Sequence, residues 1–126
     1  MTVYVETSAA AKLLVEEEAS ARLAEHLDAL HEAPVSCLVL ETELRRLAVR
    51  VSLPQTAVTS LLERFDLLET DRSLYREAGL LPSPHLRSLD ALHVAAALRL
   101  DAEVMLSYDR RQIAAAEAVG LRTLAV

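Results

Sequence analysis

Acidic side chains stand where predicted strands end or predicted helices begin, and carboxylates in such positions can bind a metal ion. Glu6 directly follows the β-branched run "TVYV", and Asp109 follows the run "EVMLSY". Asp90 lies in the first turn of a helix predicted over "SLDALHVAAALRL", after the loop "PSPH". Ligands of open α/β sheets bind beyond the carboxyl ends of the strands. These acids are therefore expected at one cleft.

A fourth acid comes from the helix predicted over "LVLETELRRLAVR", which offers Glu41 and Glu43. Glu41 has Arg45 four residues later, the spacing of a surface ion pair. Glu43 has Leu47 at that spacing, although Arg46 follows at three residues. Both acids lie beside the apolar stripe of the helix, so the residues alone favour Glu43 only by a small margin.

Carboxylates that meet in one cleft repel one another, and each raises the pKa of its neighbours. A divalent cation removes that repulsion, and Mg²⁺ and Mn²⁺ prefer oxygen ligands. Such an ion generates hydroxide from bound water and neutralises charge on a phosphodiester. An acidic protein can therefore act on a polyanion through a metal.

Each of these acids also has an ordinary structural interpretation. Asp90 could be a helix-dipole acid and Asp109 an N-cap, and for either residue alone that interpretation is the more common one. Glu6 is harder to explain in this way, because Glu is a poor cap and Thr7 or Ser8 would cap the next helix better.

Strands and helices alternate along the predicted chain. Strands are predicted over residues 2–6, "VSC", "DLLET", "EVMLSY" and "LRTLAV", with helices between them and with Ser52 and Ser88 as further candidate caps. This alternation predicts a parallel sheet covered on both faces. The sequence has no repeats or linkers, so we expect a single domain over residues 1–126.

Composition excludes several classes of protein. The net charge of −6 argues against a generally basic nucleic-acid binder, and aromatic content of 3% argues against base-stacking platforms. The single cysteine, Cys37, lies in an apolar run and is expected to be buried and reduced. We expect no signal peptide, and no apolar run approaches the ~20 residues of a membrane span.

Four segments resemble the successive motifs of PIN (PilT N-terminus) domains, and more narrowly VapC-type toxins of bacterial toxin–antitoxin pairs. They are "VYVETSAAAKLL", "VSCLVLETELRRLA", "LRSLDALHVAAAL" and "VMLSYDRRQIAAAEAVGL". The resemblance implies a three-layer α/β/α sandwich with a central parallel sheet and an acidic ribonuclease site that depends on Mg²⁺ or Mn²⁺. It also implies a cytoplasmic protein that cleaves RNA, is silenced by a VapB-like antitoxin and forms a homodimer.

The resemblance assigns roles to individual residues. Glu43 matches the acid of the second motif, which settles the choice against Glu41, and Asp90 and Asp109 match the acids of the third and fourth motifs. Ser8 matches a small hydroxyl residue near the site. Glu6 stands where the family has Asp, and its extra methylene moves the carboxylate by about 1.5 Å. This departure puts full activity in doubt.

Several other residues keep two interpretations. Arg110 and Arg111 could bind the RNA backbone or lie solvated at a helix start. His93 is expected to be packed or half-buried, and Lys12 to be solvated. One alternative function is a PIN domain that binds RNA or a protein partner without cutting. Another is phosphoryl transfer through an aspartyl phosphate, which is disfavoured because the single lysine is Lys12 on the first helix.

Overall fold

Strands and helices alternate along the whole chain in the computed structural model, which describes residues 1–126. The strands are β1 (Val3–Val5), β2 (Val35–Cys37), β3 (Asp66–Leu68), β4 (Val104–Leu106) and β5 (Thr123–Leu124). The helices are α1 (Thr7–Ala10), α2 (Ser20–Asp28), α3 (Val39–Val51), α4 (Gln55–Leu62), α5 (Arg72–Gly79), α6 (Ser88–Arg99) and α7 (Arg110–Ala118), with a short 3₁₀ helix at Ala11–Leu13. The predicted alternation is confirmed.

All neighbouring strands are parallel, and the sheet has the order β3-β2-β1-β4-β5. The chain therefore builds the sheet to one side of β1 and then returns to the other side with β4. In the register of these two strands, Val3 lies opposite Val104 and Val5 opposite Leu106. Ligands of open α/β sheets bind at such a reversal of strand order, so the ends of β1 and β4 define the expected site.

Helices cover both faces of the sheet, which gives the predicted three layers. Side chains alternate across β1, so Val3 and Val5 pack with α2, α3 and α4 on one face. Tyr4 and Met105 point to the other face, where α5, α6 and α7 pack. The predicted burial of Cys37 in this second core is confirmed. No helix is long and apolar enough to cross a membrane.

The N-caps expected from Thr7 or Ser8, Ser52 and Ser88 are wrong. The residues at these helix starts are Glu6, Pro54 and Arg87, and none makes a side-chain capping bond. Ser52 instead ends α3 in a left-handed conformation with φ of 58°. The helix after β1 is short, because the chain tightens into the 3₁₀ turn after Ala10. The hydroxyls of Thr7 and Ser8 are used at the site instead.

Candidate active site

Glu6 follows β1 directly, and its backbone N–H donates to the Leu106 carbonyl at 3.2 Å, which extends the parallel ladder by one bond. Its side chain is only 3% exposed, and its Oε1 accepts a hydrogen bond from the Ser8 hydroxyl. Burying a carboxylate is costly unless something compensates its charge. The single hydroxyl of Ser8 supplies no charge, so Glu6 is a buried acid without an ion-pair partner.

Ser8 and Ser107 connect the ends of the two central strands. The Ser8 Oγ accepts from the Tyr108 N–H at 2.8 Å and lies 3.4 Å from the Ser107 Oγ. The Ser107 Oγ accepts in turn from the Asp109 N–H at 3.1 Å. A chain of hydrogen bonds thus runs from Glu6 to the backbone of Asp109. Sequence reasoning placed Ser8 near the site but missed Ser107.

Asp109 is the N-cap of α7. Its Oδ1 accepts from the backbone N–H groups of Arg111 at 2.9 Å and Gln112 at 3.2 Å. Its ordinary structural interpretation is therefore correct. The hydrogen bonds leave Oδ2 without a partner, so capping the helix occupies only half of the carboxylate.

Asp90 and Asp109 line one surface pocket together with three arginines, Arg87, Arg110 and Arg111. Asp90 lies in the first turn of α6, as predicted, and its carboxylate accepts no hydrogen bond from the protein. None of the three arginines forms an ion pair, although two carboxylates share their pocket. The pocket therefore combines free anionic and free cationic groups, and Arg87 is a member that sequence reasoning missed.

Glu43 is held by a buried network on the opposite side of the site. Its Oε1 accepts from the Thr7 hydroxyl at 2.5 Å and lies 2.7 Å from the Nε2 of His93. The Nδ1 of His93 lies 2.7 Å from the Tyr4 hydroxyl and 3.9 Å from the Cys37 Sγ. His93 is fully buried, in line with the expectation that it is packed, and Glu43 Oε2 has no hydrogen-bond partner in the chain.

The electrostatics separate Glu6 and Asp90 from Glu43. Burial raises the pKa of Glu6, and the charge of Asp109 adds to this effect. Burial also raises the pKa of Asp90, with further contributions from Asp109 and Glu43. Burial acts in the same direction on Glu43, but the hydrogen bond and the charge of His93, together with the hydrogen bond from Thr7, outweigh it, and the net pKa is lowered. The carboxylates therefore influence one another electrostatically, as neighbours at a shared site do.

A divalent cation fits the chemistry of this donor set. The ligands on offer are carboxylate oxygens, which Mg²⁺ and Mn²⁺ prefer. A cation would offset the burial and the mutual repulsion that raise the pKa of Glu6 and Asp90. The side chains as they stand do not form a ready cluster, since no three His, Cys, Asp or Glu residues lie close enough together to hold an ion. The four-ligand assignment therefore stays a prediction.

Two other residues discussed above, Glu41 and Lys12, form ion pairs of their own. Glu41 Oε2 pairs with the Nε of Arg45 at 2.9 Å, as its four-residue spacing predicted. Lys12 pairs with Glu17, and its Nζ lies 4.7 Å from the centre of the Tyr108 ring. The expectation of a freely solvated Lys12 is therefore wrong. Arg110 and Arg111 are exposed at the start of α7.

Comparison with known proteins identifies the family. The family model described as the PIN domain matches residues 3–118. Ribonuclease VapC35 of Mycobacterium tuberculosis is 38% identical over 130 residues, which cover 98% of this chain and 96% of the relative. Ribonuclease VapC46 of the same species is 33% identical over 98% of this chain and 96% of the relative. The chain belongs to the PIN-domain family.

Solved structures agree on the fold at much lower identity. The VapC20 toxin of Mycobacterium tuberculosis, described as cleaving the sarcin–ricin loop, superposes with a TM-score of 0.80 at 15% identity, over 99% of this chain and 100% of that one. VapBC-1 from nontypeable Haemophilus influenzae gives a TM-score of 0.69 at 15% identity, over 99% and 98% of the two chains. The three-layer fold with its parallel sheet is thus that of VapC proteins.

Proposed function

We propose that this chain is a metal-dependent endoribonuclease that acts as the toxin of a VapBC-type toxin–antitoxin pair. The observation that carries the proposal is the pocket where Asp90 and Asp109 meet three arginines free of ion pairs. The unpaired carboxylates can bind a metal cation, and the unpaired guanidinium groups can bind a phosphate. Such a site suits a metal-assisted reaction on a phosphodiester. The ribonuclease relatives, which match almost the full length of the chain, support the same activity.

Glu6, Glu43, Asp90 and Asp109 are the residues that would hold Mg²⁺ or Mn²⁺. A bound ion of this kind supplies hydroxide from its water and neutralises charge on the attacked phosphodiester. His93 and Thr7 fix Glu43 through one oxygen, and the N-terminus of α7 fixes Asp109 in the same way. Each of these two carboxylates keeps its second oxygen free for the cation.

Arg110, Arg111 and Arg87 are the residues that would hold the RNA backbone. Arginine binds phosphate oxygens through two parallel N–H groups, and an unpaired guanidinium is available for this contact. Ser8 contributes indirectly, because its hydroxyl holds the Glu6 carboxylate in place.

The partner in this proposal is a VapB-like antitoxin, with RNA as the substrate and a homodimer as the assembly. Toxin–antitoxin complexes among the structural neighbours support the antitoxin, since a Klebsiella pneumoniae complex covers 90% of this chain with a TM-score of 0.71. Large apolar side chains also remain exposed, among them Val49, Tyr75, Leu80 and Leu89. Protein partners bury such side chains. The place of action would be the cytoplasm.

The test compares two aspartates that both cap helices. Asp109 caps α7, and Asp71 caps α5 through the Leu74 N–H, although Asp71 also pairs with Arg99. An asparagine keeps the capping acceptor at both positions. Asp109→Asn should abolish Mg²⁺- or Mn²⁺-dependent cleavage of RNA while the protein stays folded. Asp71→Asn, on α5, should cut RNA like the parent. Equal cleavage by the parent and Asp109→Asn would contradict the proposal.

A PIN domain that binds RNA or a partner without cutting remains the second candidate, because Glu6 replaces the family's aspartate. It predicts that the parent binds RNA but leaves it intact with either ion, and that Glu6→Asp gains cleavage. The two candidates are therefore separated by the activity of the parent itself.

A further inference from the structure

Gln112 contacts both of the residues whose carboxylates share the arginine-lined pocket. Its backbone N–H donates to the Asp109 Oδ1 at 3.2 Å, and its side-chain Nε2 donates to the backbone carbonyl of Asp90 at 3.2 Å. Asp90 belongs to α6 and Asp109 precedes α7, so the Gln112 side chain joins the N-terminal turns of two helices. The amide orientation follows from chemistry, because only the NH₂ group can donate to a carbonyl.

The position of Gln112 is unfavourable for a residue that serves stability alone. Its side chain is 0% exposed, and its Oε1 is one of two buried polar side-chain atoms without a hydrogen-bond partner. An unpaired buried acceptor generally costs more free energy than a typical hydrogen bond contributes. The single bond to Asp90 therefore does not offset the unpaired oxygen, and an apolar side chain of the same length would fold at least as well.

The side-chain amide of Gln112 instead links the N-terminal turns of α6 and α7. The Asp90 carboxylate has no hydrogen bond of its own, so its position depends on where the first turn of α6 lies. The side chain of Gln112 holds that turn, and the backbone N–H of the same residue holds the Asp109 carboxylate. We propose that Gln112 is a positioning residue that sets the distance between the Asp90 and Asp109 carboxylates, and thereby the affinity of the site for a divalent cation. This inference rests on the proposed function of those two acids.

The experiment measures Mn²⁺ binding to the full chain by titration calorimetry, together with the melting temperature without added metal. Gln112→Met keeps the length and apolar packing of the side chain and removes its amide. Residues that orient metal ligands typically change metal affinity 10–100-fold, so we expect the Mn²⁺ dissociation constant to rise by about tenfold or more. The melting temperature should be equal to or above that of the parent.

Two further variants locate the effect. Ile113→Met introduces the same residue at the next position of α7 without touching either hydrogen bond, and should bind Mn²⁺ like the parent. Asp90→Asn should weaken binding by itself, and adding Gln112→Met to it should weaken binding much less than in the parent background. A full, additive loss in the double variant would mean that Gln112 does not act through Asp90.

The outcomes separate this inference from the proposed function. A parent that binds no Mn²⁺ or Mg²⁺ removes the metal site itself. A parent that binds Mn²⁺, with a Gln112→Met variant of unchanged affinity, overturns only the positioning role. A lower melting temperature with unchanged affinity would assign Gln112 to helix packing alone. If Gln112→Met fails to fold, Gln112→Leu provides the same test.

Discussion

The Nε2 of His93 lies 2.7 Å from the Oε1 of Glu43, and this contact joins α6 to α3 beneath the candidate site. A carboxylate only accepts hydrogen bonds, so Nε2 carries the proton and donates it. The raised pKa of His93 favours the charged ring, in which Nδ1 also carries a proton and donates it to the Tyr4 hydroxyl, 2.7 Å away. The orientation of the His93 ring, and with it the direction in which Glu43 is held, is therefore set from β1.

Tyr4→Phe should destabilise the protein, because it leaves the buried Nδ1 of His93 without its hydroxyl partner. An unsatisfied buried group of this kind costs about 1–3 kcal/mol in the free energy of unfolding, measured by urea denaturation. Tyr75→Phe is the matched control, since the exposed Tyr75 hydroxyl bonds only to Thr70 and its loss should change stability by less than about 0.5 kcal/mol. Equal effects at the two positions would contradict the role of the network.

The His93–Glu43 pair should also make stability depend on pH. Burial lowers the pKa of His93, but contacts with Cys37 and Glu43 outweigh it and raise the pKa to about 10, from a usual value of 6.5. A raised pKa means that the charged ring favours the folded state. This contribution is complete below pH 6.5 and is lost as the pH rises through about 10. Glu43→Gln should show a smaller loss across that window than the parent in parallel urea titrations.

Glu6→Gln should stabilise the protein near neutral pH when no metal is added. The folded state raises the pKa of Glu6 above its usual 4.5, so ionising this buried acid disfavours folding. The gain from Gln should be absent below pH 4.5 and should grow as the pH rises through the raised pKa. Exposed Glu63→Gln is the control, with a change within about 0.5 kcal/mol at every pH. A destabilised Glu6→Gln protein would mean that the charge of Glu6 supports the fold.

The Glu6→Gln substitution, which should stabilise the fold, should impair RNA cleavage. Glu6→Gln should lower RNA cleavage by at least about tenfold, since it removes an anionic ligand and keeps the shape of the side chain. Glu6→Asp should cleave as well as the parent or better, because the shorter carboxylate matches the aspartate that the resemblance to PIN domains implies at this position. The parent should favour Mn²⁺ over Mg²⁺, which demands near-ideal octahedral geometry. Cleavage rates of the three proteins with each ion test this, and a Glu6→Gln protein as fast as the parent removes Glu6 from the site.

The architecture was readable from the sequence because its signals are local. β-Branched runs alternate with helical periodicity, and this alternation alone implies parallel strands with helices on both faces. The positions of Glu6 and Asp109 at strand ends follow from the same pattern. The ion pair of Glu41 with Arg45 was also predictable, since four residues on a helix bring two side chains together without help from the rest of the fold.

Only the tertiary structure decided what each polar side chain contacts. Thr7 and Ser8 carry the signature of helix caps, yet folding brings Glu43 and Tyr108 within their reach, and those contacts replace capping. The His93 network joins residues up to 89 positions apart, and Gln112 reaches Asp90 across 22 positions. No local pattern encodes such pairs, because their partners meet only after the sheet has fixed its strand order. The sequence determined where the acids stand, and the packing of α3, α6 and α7 around β1 determined how they are held.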